Sequence, residues 1–534
     1  MSKPRVYYFM VGGAGNEVTG SCTVLRIEYN DKIYYGLVDT GIVQGPNSFR
    51  NFNFPIEASK LDFVVLTHSH ADHSGGLPML KGFNGKLYAT LDGFKQAKEI
   101  LEDSALNHEQ EAVEELGVPF EAYQRMCAEL ERLEKRGATN LERYKALSNE
   151  VKEIRSGALY LPDDVEEISK FFTPILPYQD VKIDDGIYIR TIPSTHQNGA
   201  VSVELYVGNY GEDSVNISFS GDVGPSDSFL YRNHEYTKNH LINFCVMESL
   251  HGLEEKKQTP EDAHEELTNI VLDGLKKGKT VIEVVFALDR SAITLYSNNR
   301  AKKERNVQFK SYFDSKLAVK ELIHYQNAYN SKDNLWFKDL GPNPFSTEET
   351  IILGKYAAHM NVVRSSDPKV VITASAFGEG GRVLDYFDHY IQDENAIFIF
   401  LGWLSPECNS YKLLNAQKGE IIELHGTQNS HYVKHCETYQ ISGFSSHGYY
   451  PEFVEYIERF PNLKGLILNH AATETKEALR DKLKESYGFD ICIPEMYDSM
   501  YRSFYTITSS DGIQELPVLE GYDVFKDVLI NSVL

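Results

Sequence analysis

Four side chains of metal-binding type crowd into the turn Thr67-His68-Ser69-His70-Ala71-Asp72-His73, directly after the apolar run Asp62–Leu66. A strand that ends in such a turn delivers its ligands at its C-terminal edge. His68 and His70 alternate, so both can reach one metal ion, while Asp72 and His73 can reach a second. Imidazole and carboxylate suit zinc, and two ions about 3.5–4 Å apart suit phosphoester hydrolysis. Three histidines and one aspartate at these offsets arise by chance with a probability on the order of 10⁻³ in a chain of this length. A metal site therefore outweighs a merely polar turn.

The elements that must hold this turn are legible around it. The N-terminal part alternates short β-type runs, VYYFMV, CTVLRIEY, KIYYGLVD and DFVVLTH, with Gly, Asn or Asp turns, which reads as strands. From Leu91 to Ile168 charged and apolar residues interleave at helical spacing, and Gly137 separates two such stretches as in a helical hairpin. Strands return between Val181 and Asp222. From Cys245 to Gly402 the runs VIEVVFAL, VVITASA and AIFIFLGW alternate with helical stretches, which predicts βαβ units and a largely parallel sheet. A further strand, GLILNH, lies near the end.

Composition sets outer bounds. A chain of 534 residues with 42% hydrophobic and 12% aromatic residues is expected to form two to four well-packed domains. The six cysteines, Cys22, Cys127, Cys245, Cys408, Cys436 and Cys492, form no CxxC pair and argue against a disulfide framework or a thiolate zinc site. No signal peptide and no run of about 18 apolar residues is visible, so the expectation is a cytoplasmic protein without membrane contact. The net charge of −24 counts against tight, non-specific nucleic-acid binding, though not against a local basic groove.

The HxHxDH turn resembles the signature of the metallo-β-lactamase superfamily. That resemblance implies further ligands in order. Asp39 in GLVDTG matches the aspartate that supports the site, His196 in PSTHQNGA the third ligand of a first zinc, Asp222 in SFSGDVG the bridging carboxylate, and His470 in GLILNHA the last ligand of a second zinc. The implied metal set is His68, His70, Asp72, His73, His196, Asp222 and His470, holding two zinc ions, with manganese as an alternative.

A narrower resemblance rests on GGAGNEVTGS, HSHADHSGGLP, ILEDSA, VFALDRS, SAFGEGGR and ISGFSSH, which together are similar to the β-CASP subfamily over about residues 5–480. It implies an α/β protein: an αββα metallo-β-lactamase sandwich with an inserted α/β β-CASP domain, and here an added helical hairpin. The implied division is a first part of the metallo-β-lactamase domain over 1–224, with a helical insertion at about 107–158. A β-CASP domain follows over 225–425, then the returning part and C-terminal extension over 426–534.

The activity implied is hydrolysis of phosphodiester bonds, in RNA rather than DNA and single-stranded, by a hydroxide activated between two metal ions. Asp72 and Asp39 serve that centre. His447 in GFSSHGYY matches the family's general acid and Glu248 in VMESLHG its acidic partner. Arg290, Ser375, Gly378, Gly380, Gly381 and Arg382 match positions near the substrate phosphates, where a glycine-rich loop can present N–H groups to an anion.

The chain also departs from that pattern. Ser249-Leu250-His251-Gly252 stands where relatives carry Ser-Thr-Tyr-Gly, FLGWLSPECNSYKLL lacks their arginine, and Gly448-Tyr449 replaces an aspartate. No appended RNA-binding domain is legible. A cluster of Arg300, Lys302, Lys303 and Arg305, with Lys310 and Lys316 beyond, reads equally as a polyanion-steering patch or a solvated helix face. Two other classes remain open: a partner-binding or regulatory protein working through the helical hairpin, which would serve a protein partner or a homo-oligomer, and a small-molecule metallo-hydrolase.

Overall fold

The run Arg5–Val11 is apolar at almost every position because both of its faces are covered in the computed structural model of the chain. Val6, Tyr8 and Met10 join a core with Leu25, Ile27, Phe63 and Val65 of their own sheet and with Ile187, Ile189, Val203 and Leu205 of a facing one. The alternate residues Tyr7, Phe9 and Val11 pack outward against Phe94, Ala97 and Leu101 of helix Leu91–Glu115 and against Phe525. This is the two-residue period of a strand buried on both sides. The structure describes residues 3–530 apart from 16, 211–212, 234–236, 498–499 and 502.

The first sheet has eight strands in the order Gly512–Leu516, Phe504–Thr508, Arg5–Val11, Cys22–Tyr29, Lys32–Val38, Phe63–Val65, Lys86–Ala89, Phe172–Pro174. The second has seven, in the order Asp490–Cys492, Gly465–Asn469, Phe244–Glu248, Val215–Phe219, Val201–Val207, Ile187–Pro193, Val181–Asp184. Its outer face is covered by helices Tyr450–Glu458 and Thr473–Lys484 through Phe453, Tyr456, Leu479 and Leu483. Helices outside and two sheets inside make the αββα sandwich.

A third sheet of six strands, all paired in parallel, runs Thr350–Ile352, Ser311–Asp314, Lys369–Ala374, Thr280–Val285, Ala396–Leu401, Glu437–Ile441. Helices cover both faces, with Leu267, Leu295 and Leu322 on one side and Val383, Phe387 and Leu413 on the other. Trp336 Nε1 of this domain donates to the Ala200 carbonyl of the sandwich at 2.8 Å.

Sheet membership moves both expected junctions. Strand Phe244–Glu248 pairs with Val215–Phe219 and Gly465–Asn469 inside the sandwich, so the inserted domain starts after Glu248 and not at 225. Strand Glu437–Ile441 pairs with Ala396–Leu401, so the insertion runs past 425 to Ile441. Short connecting strands do not reveal in sequence which sheet they join. The helical insertion is also displaced from 107: helix Leu91–Glu115 is unbroken there, and the added hairpin is Phe120–Lys135 with Glu142–Arg155. Gly137 turns between them with φ of +67°, as its position implies. The hairpin has its own small core of Val113, Tyr123, Val151 and Ile154.

Candidate metal centre

Four of the seven expected ligands follow strand ends. His68 follows Phe63–Val65, His196 follows Ile187–Pro193, Asp222 follows Val215–Phe219 and His470 follows Gly465–Asn469. Asp72 and His73 lie on the single helical turn Ala71–Ser74. The first sheet supplies the HxHxDH turn and the second supplies the rest, so the ligands converge where the edges of the two sheets meet.

The geometry centres on Asp222. Its Oδ2 lies 3.4 Å from His68 Nε2 and 3.4 Å from His196 Nε2. Its Oδ1 lies 3.1 Å from His73 Nε2 and 3.7 Å from His470 Nε2. His70 Nδ1 approaches His196 Nε2 at 3.0 Å, and Asp72 Oδ2 approaches His470 Nε2 at 3.2 Å. One carboxylate thus faces two imidazole sets, and the donors fall into the groups His68, His70, His196, Asp222 and Asp72, His73, His470.

These donors fit divalent cations. Nε2 of His68, Nε2 of His73 and Oδ1 of Asp222 are buried and make no well-aligned hydrogen bond, although the last two face each other at 3.1 Å. A buried polar atom left unpaired costs about 1–3 kcal/mol, and three such atoms meet at one place. Burial pushes His68 down to about 3 and His70 down to about 4, and takes His196 well below its usual range. Neutral imidazole is the form that ligates metal. Burial opposes a proton on His470 as well, but the Asp222 and Asp72 carboxylates outweigh it and lift this ring to about 9.

Asp39 orients the centre from below. Its Oδ2 accepts from His73 Nδ1 at 2.7 Å and from the Thr67 hydroxyl at 2.8 Å, and its Oδ1 accepts from the Thr67 amide at 2.7 Å. Thr67 Oγ1 also lies 3.0 Å from His68 Nδ1, so one aspartate and one threonine fix two ligand rings. Ser446 O lies 2.9 Å from His196 Nδ1. Sequence reasoning passed over Thr67 and Ser446, although Thr67 directly precedes the first ligand. Asp39 and His470 both hold left-handed backbone, with φ of +61° and +57°, a strained conformation that the surrounding bonds maintain.

Glu248 and His447 complete the cluster. His447 Nδ1 lies 3.3 Å from Glu248 Oε2 and 3.8 Å from Asp222 Oδ2. Burial pushes His447 down to about 4, while burial and the Asp222 charge push Glu248 well above the usual carboxylate range. The Val223 amide donates to Glu248 and holds it in place. The side-chain bonds of His447 are made through Nδ1, and none is made through Nε2 among the described residues.

Two departures from the family pattern meet here. His251 stacks on Tyr449 with ring centroids 4.2 Å apart and planes 3° apart, and the His251 ring lies 6.2 Å from that of His447. Gly448 lets this loop lie flat on the Asp222 loop: its amide donates to Val223 O at 2.6 Å, and a Cβ there would sit 2.8 Å from Glu452 Cβ.

The candidate phosphate-holding residues separate. Arg290 opens helix Arg290–Glu304, is buried, and has Nε and Nη1 without partners; it lies close enough to Tyr449 for the two to interact electrostatically. Ser375, Gly378, Gly380 and Gly381 form the loop after strand Lys369–Ala374, with the Gly378 amide on Ser375 O and open space around Gly380. Arg382 turns inward: it donates to Asp314 and to the carbonyls of Leu353 and Gly354, so it braces the loop. Four of the six residues of the basic cluster are also paired internally. Arg300 pairs with Glu261 and Glu304, Arg305 with Glu265, Lys310 with Asp367, and Lys302 is buried on Ser311 Oγ and Glu349 O. The solvated-face reading of that cluster is the one the structure supports. Among the described residues, no helix is long and apolar enough to cross a membrane.

Comparison with known proteins agrees with this architecture. Residues 36–163 match a beta-lactamase superfamily domain, 292–411 a Beta-Casp domain, and 432–494 a Zn-dependent metallo-hydrolase RNA specificity domain. The chain is 22% identical over 497 residues to the transcription termination factor FttA of Methanocaldococcus jannaschii, covering 91% of this chain and 70% of that protein. It is 21% identical over 457 residues to FttA of Thermococcus kodakarensis, covering 84% and 63%. It is 24% identical over 483 residues to a ribonuclease of Thermus thermophilus, covering 88% and 94%. The chain thus spans about two thirds of the archaeal factors and nearly all of the bacterial enzyme. With three family domains in order and every ligand of the signature converging on Asp222, the chain belongs to the β-CASP branch of the metallo-β-lactamase superfamily.

Proposed function

We propose that this protein is a metal-dependent nuclease that hydrolyses phosphodiester bonds in single-stranded RNA. The observation that carries the reading is the Asp222 carboxylate set between two imidazole groups, with the Glu248–His447 pair beside it. His68, His70 and His196 with Asp222 would hold one zinc ion, and Asp72, His73 and His470 with Asp222 a second; manganese suits the same donors. Two such ions supply an acidified water and neutralise charge on a phosphoryl group.

The chain's own residues do the rest. Asp39 and Thr67 keep His68 and His73 aimed at the centre. Glu248 engages His447 Nδ1, so Nε2 can deliver a proton to the departing oxygen. The buried Glu248–His447 pair titrates as a unit, and an arriving phosphodiester anion favours the proton on the imidazole. Arg290, with two buried and unpartnered nitrogens, would bind a backbone phosphate, and the loop at Gly380, where a Cβ would meet open space, would line the strand's path. Action on RNA in the cytoplasm is the setting this implies.

A second reading concerns the hairpin Phe120–Lys135 and Glu142–Arg155. Leu116 and Leu141 at its ends are exposed by 57% and 51%, which favours a contact with a protein partner or a second copy of the chain. It adds to the nuclease reading.

The test is hydrolysis of 5′- and 3′-labelled single-stranded RNA beside matched DNA, with zinc or manganese added. RNA cleavage by the wild type, lost in His70→Ala and in His447→Ala, is expected. A metal-loaded wild type that leaves RNA intact at every salt concentration would overturn the proposal.

A further inference from the structure

The carboxyl edge of the parallel sheet carries an aromatic row that the metal centre does not use. Phe286 follows strand Thr280–Val285, Phe377 follows Lys369–Ala374, and Trp403 follows Ala396–Leu401, three adjacent strands. Phe286 and Phe377 lie edge to face with centroids 5.4 Å apart, and Phe377 and Trp403 likewise at 6.0 Å. Gly402, with φ of +122°, lies beside the Phe286 ring, which a Cβ there would touch at an ordinary contact distance of 3.5 Å. The two phenylalanines are half-buried, but Trp403 is 67% exposed. A tryptophan propped from beneath and open above is costly to leave in water, since aromatic side chains bury 150–250 Å² when covered.

The row is linked through the sheet to the segment that carries His447. Strand Ala396–Leu401 is the parallel neighbour of Glu437–Ile441, with Leu401 opposite Ile441. The Gly402 amide donates to Ile441 O at 2.9 Å, and Gln440 Nε2 donates to Gly402 O at 2.9 Å. The segment that carries His447 leaves the same sheet edge directly after Ile441. In open α/β sheets ligands bind at this edge.

Charge points to the kind of ligand contact. The chain carries −24, and four of the six basic residues in its densest cluster are spent on internal partners. A polyanion therefore gains little long-range attraction here, and its affinity must come from contacts that do not depend on charge. Base–aromatic stacking is such a contact, and every base offers a π face.

We propose that Trp403, backed by Phe377 and Phe286, is a stacking platform for an unpaired base of the strand that enters the metal cleft. The proposal rests on the nuclease reading for its ligand class, but it is tested by binding. The chain has two tryptophans, and Trp336 is buried on Ala200 O, so exposed-indole fluorescence reports on Trp403. The full-length, metal-loaded protein is titrated with a short phosphorothioate oligoadenylate, and with the same backbone carrying abasic sites. Quenching by the oligoadenylate and weak quenching by the abasic strand are expected in the wild type; by anisotropy of a dye-labelled oligoadenylate, which does not depend on the indole, roughly tenfold or greater loss of affinity in Trp403→Ala and recovery in Trp403→Phe are expected. Equal quenching by both strands, or unchanged affinity in Trp403→Ala, overturns the platform and leaves a protein-contact surface in its place. Failure of the nuclease reading appears separately, as intact RNA in the cleavage assay while the stacking signal persists.

Discussion

Glu248 and His447 stand 199 positions apart in the chain, on either side of the whole inserted domain, and meet at 3.3 Å beside Asp222. Glu248 ends a strand of the sandwich and His447 lies on the segment by which the chain returns to it, so the insertion is closed onto the metal centre by this pair. Removing His447 should lower the rate of RNA cleavage about 10²–10⁴-fold while leaving bound metal unchanged. Glu248→Gln should slow cleavage less. Combined with His447→Ala it should add little, because the carboxyl acts through the imidazole. Rates and metal content of the two single variants and the double variant check this. Additive losses would separate the two residues.

Asp39 touches no substrate and acts through His73 and Thr67. Asp39→Asn should weaken metal retention by about 10–100-fold, measured by chelator competition, and restore activity when metal is in excess. Loss of activity that excess metal does not rescue would give Asp39 a direct part in the chemistry.

Gly41 is required by a close approach. A Cβ there would lie 1.6 Å from the Asp72 carbonyl oxygen, whose partner is the Ser21 amide at 2.7 Å. Gly41→Ala should destabilise the fold by at least about 1–3 kcal/mol in urea denaturation and displace the His70–His73 turn. Gly488→Ala, where a Cβ meets open space, should stay within about 0.5 kcal/mol of the parent.

Glu283 supplies a pH dependence away from the metals. It is fully buried in strand Thr280–Val285, with Oε2 on Asn298 and Oε1 without a partner, and burial pushes it up to about 8. The folded state therefore holds a proton that the unfolded chain releases at the ordinary carboxyl value of 4.5. Its contribution is full below about 4.5, declines as pH rises towards 8 and is level above that. Glu283→Gln should remove this slope, so the variant gains on the parent between about pH 5 and 8 in urea midpoints. Parallel midpoint curves for the two proteins would contradict it.

Arg290 and Arg305 should behave oppositely. With the phosphate contact proposed for it, Arg290→Met should weaken RNA binding and reduce the salt slope by about one ion; two of its guanidinium nitrogens are buried without a hydrogen-bond partner. Arg305→Met should alter neither, since Arg305 is paired with Glu265. Binding isotherms at several salt concentrations distinguish them.

What the sequence shows of this protein follows from where each residue sits. His68, His196, Asp222 and His470 each come just after an apolar strand, so the HxHxDH turn is legible by itself and the other three become legible once the family resemblance says which strand ends to inspect. Thr67 is harder to see, because its role is set by Asp39 on the neighbouring strand. The sheet assignments of Phe244–Glu248 and Glu437–Ile441 depend on pairing partners more than 20 residues away, which no local pattern records. Arg382 reads as anion-binding, and the cluster around Arg300 reads equally as a steering patch or a solvated face, because charge type is visible in a sequence and the carboxylates that consume it, Asp314, Glu261 and Glu265, are not visibly adjacent.

The central claim is that one carboxylate, Asp222, organises two metal positions that make RNA cleavage possible. The most direct measurement is the rate of RNA cleavage as zinc is returned to metal-stripped protein, alongside Asp222→Asn. The account predicts no cleavage by stripped protein, full activity only as a second equivalent binds, and no activity of Asp222→Asn at any zinc load. Cleavage by the stripped protein, or by Asp222→Asn at the wild-type rate, would contradict it.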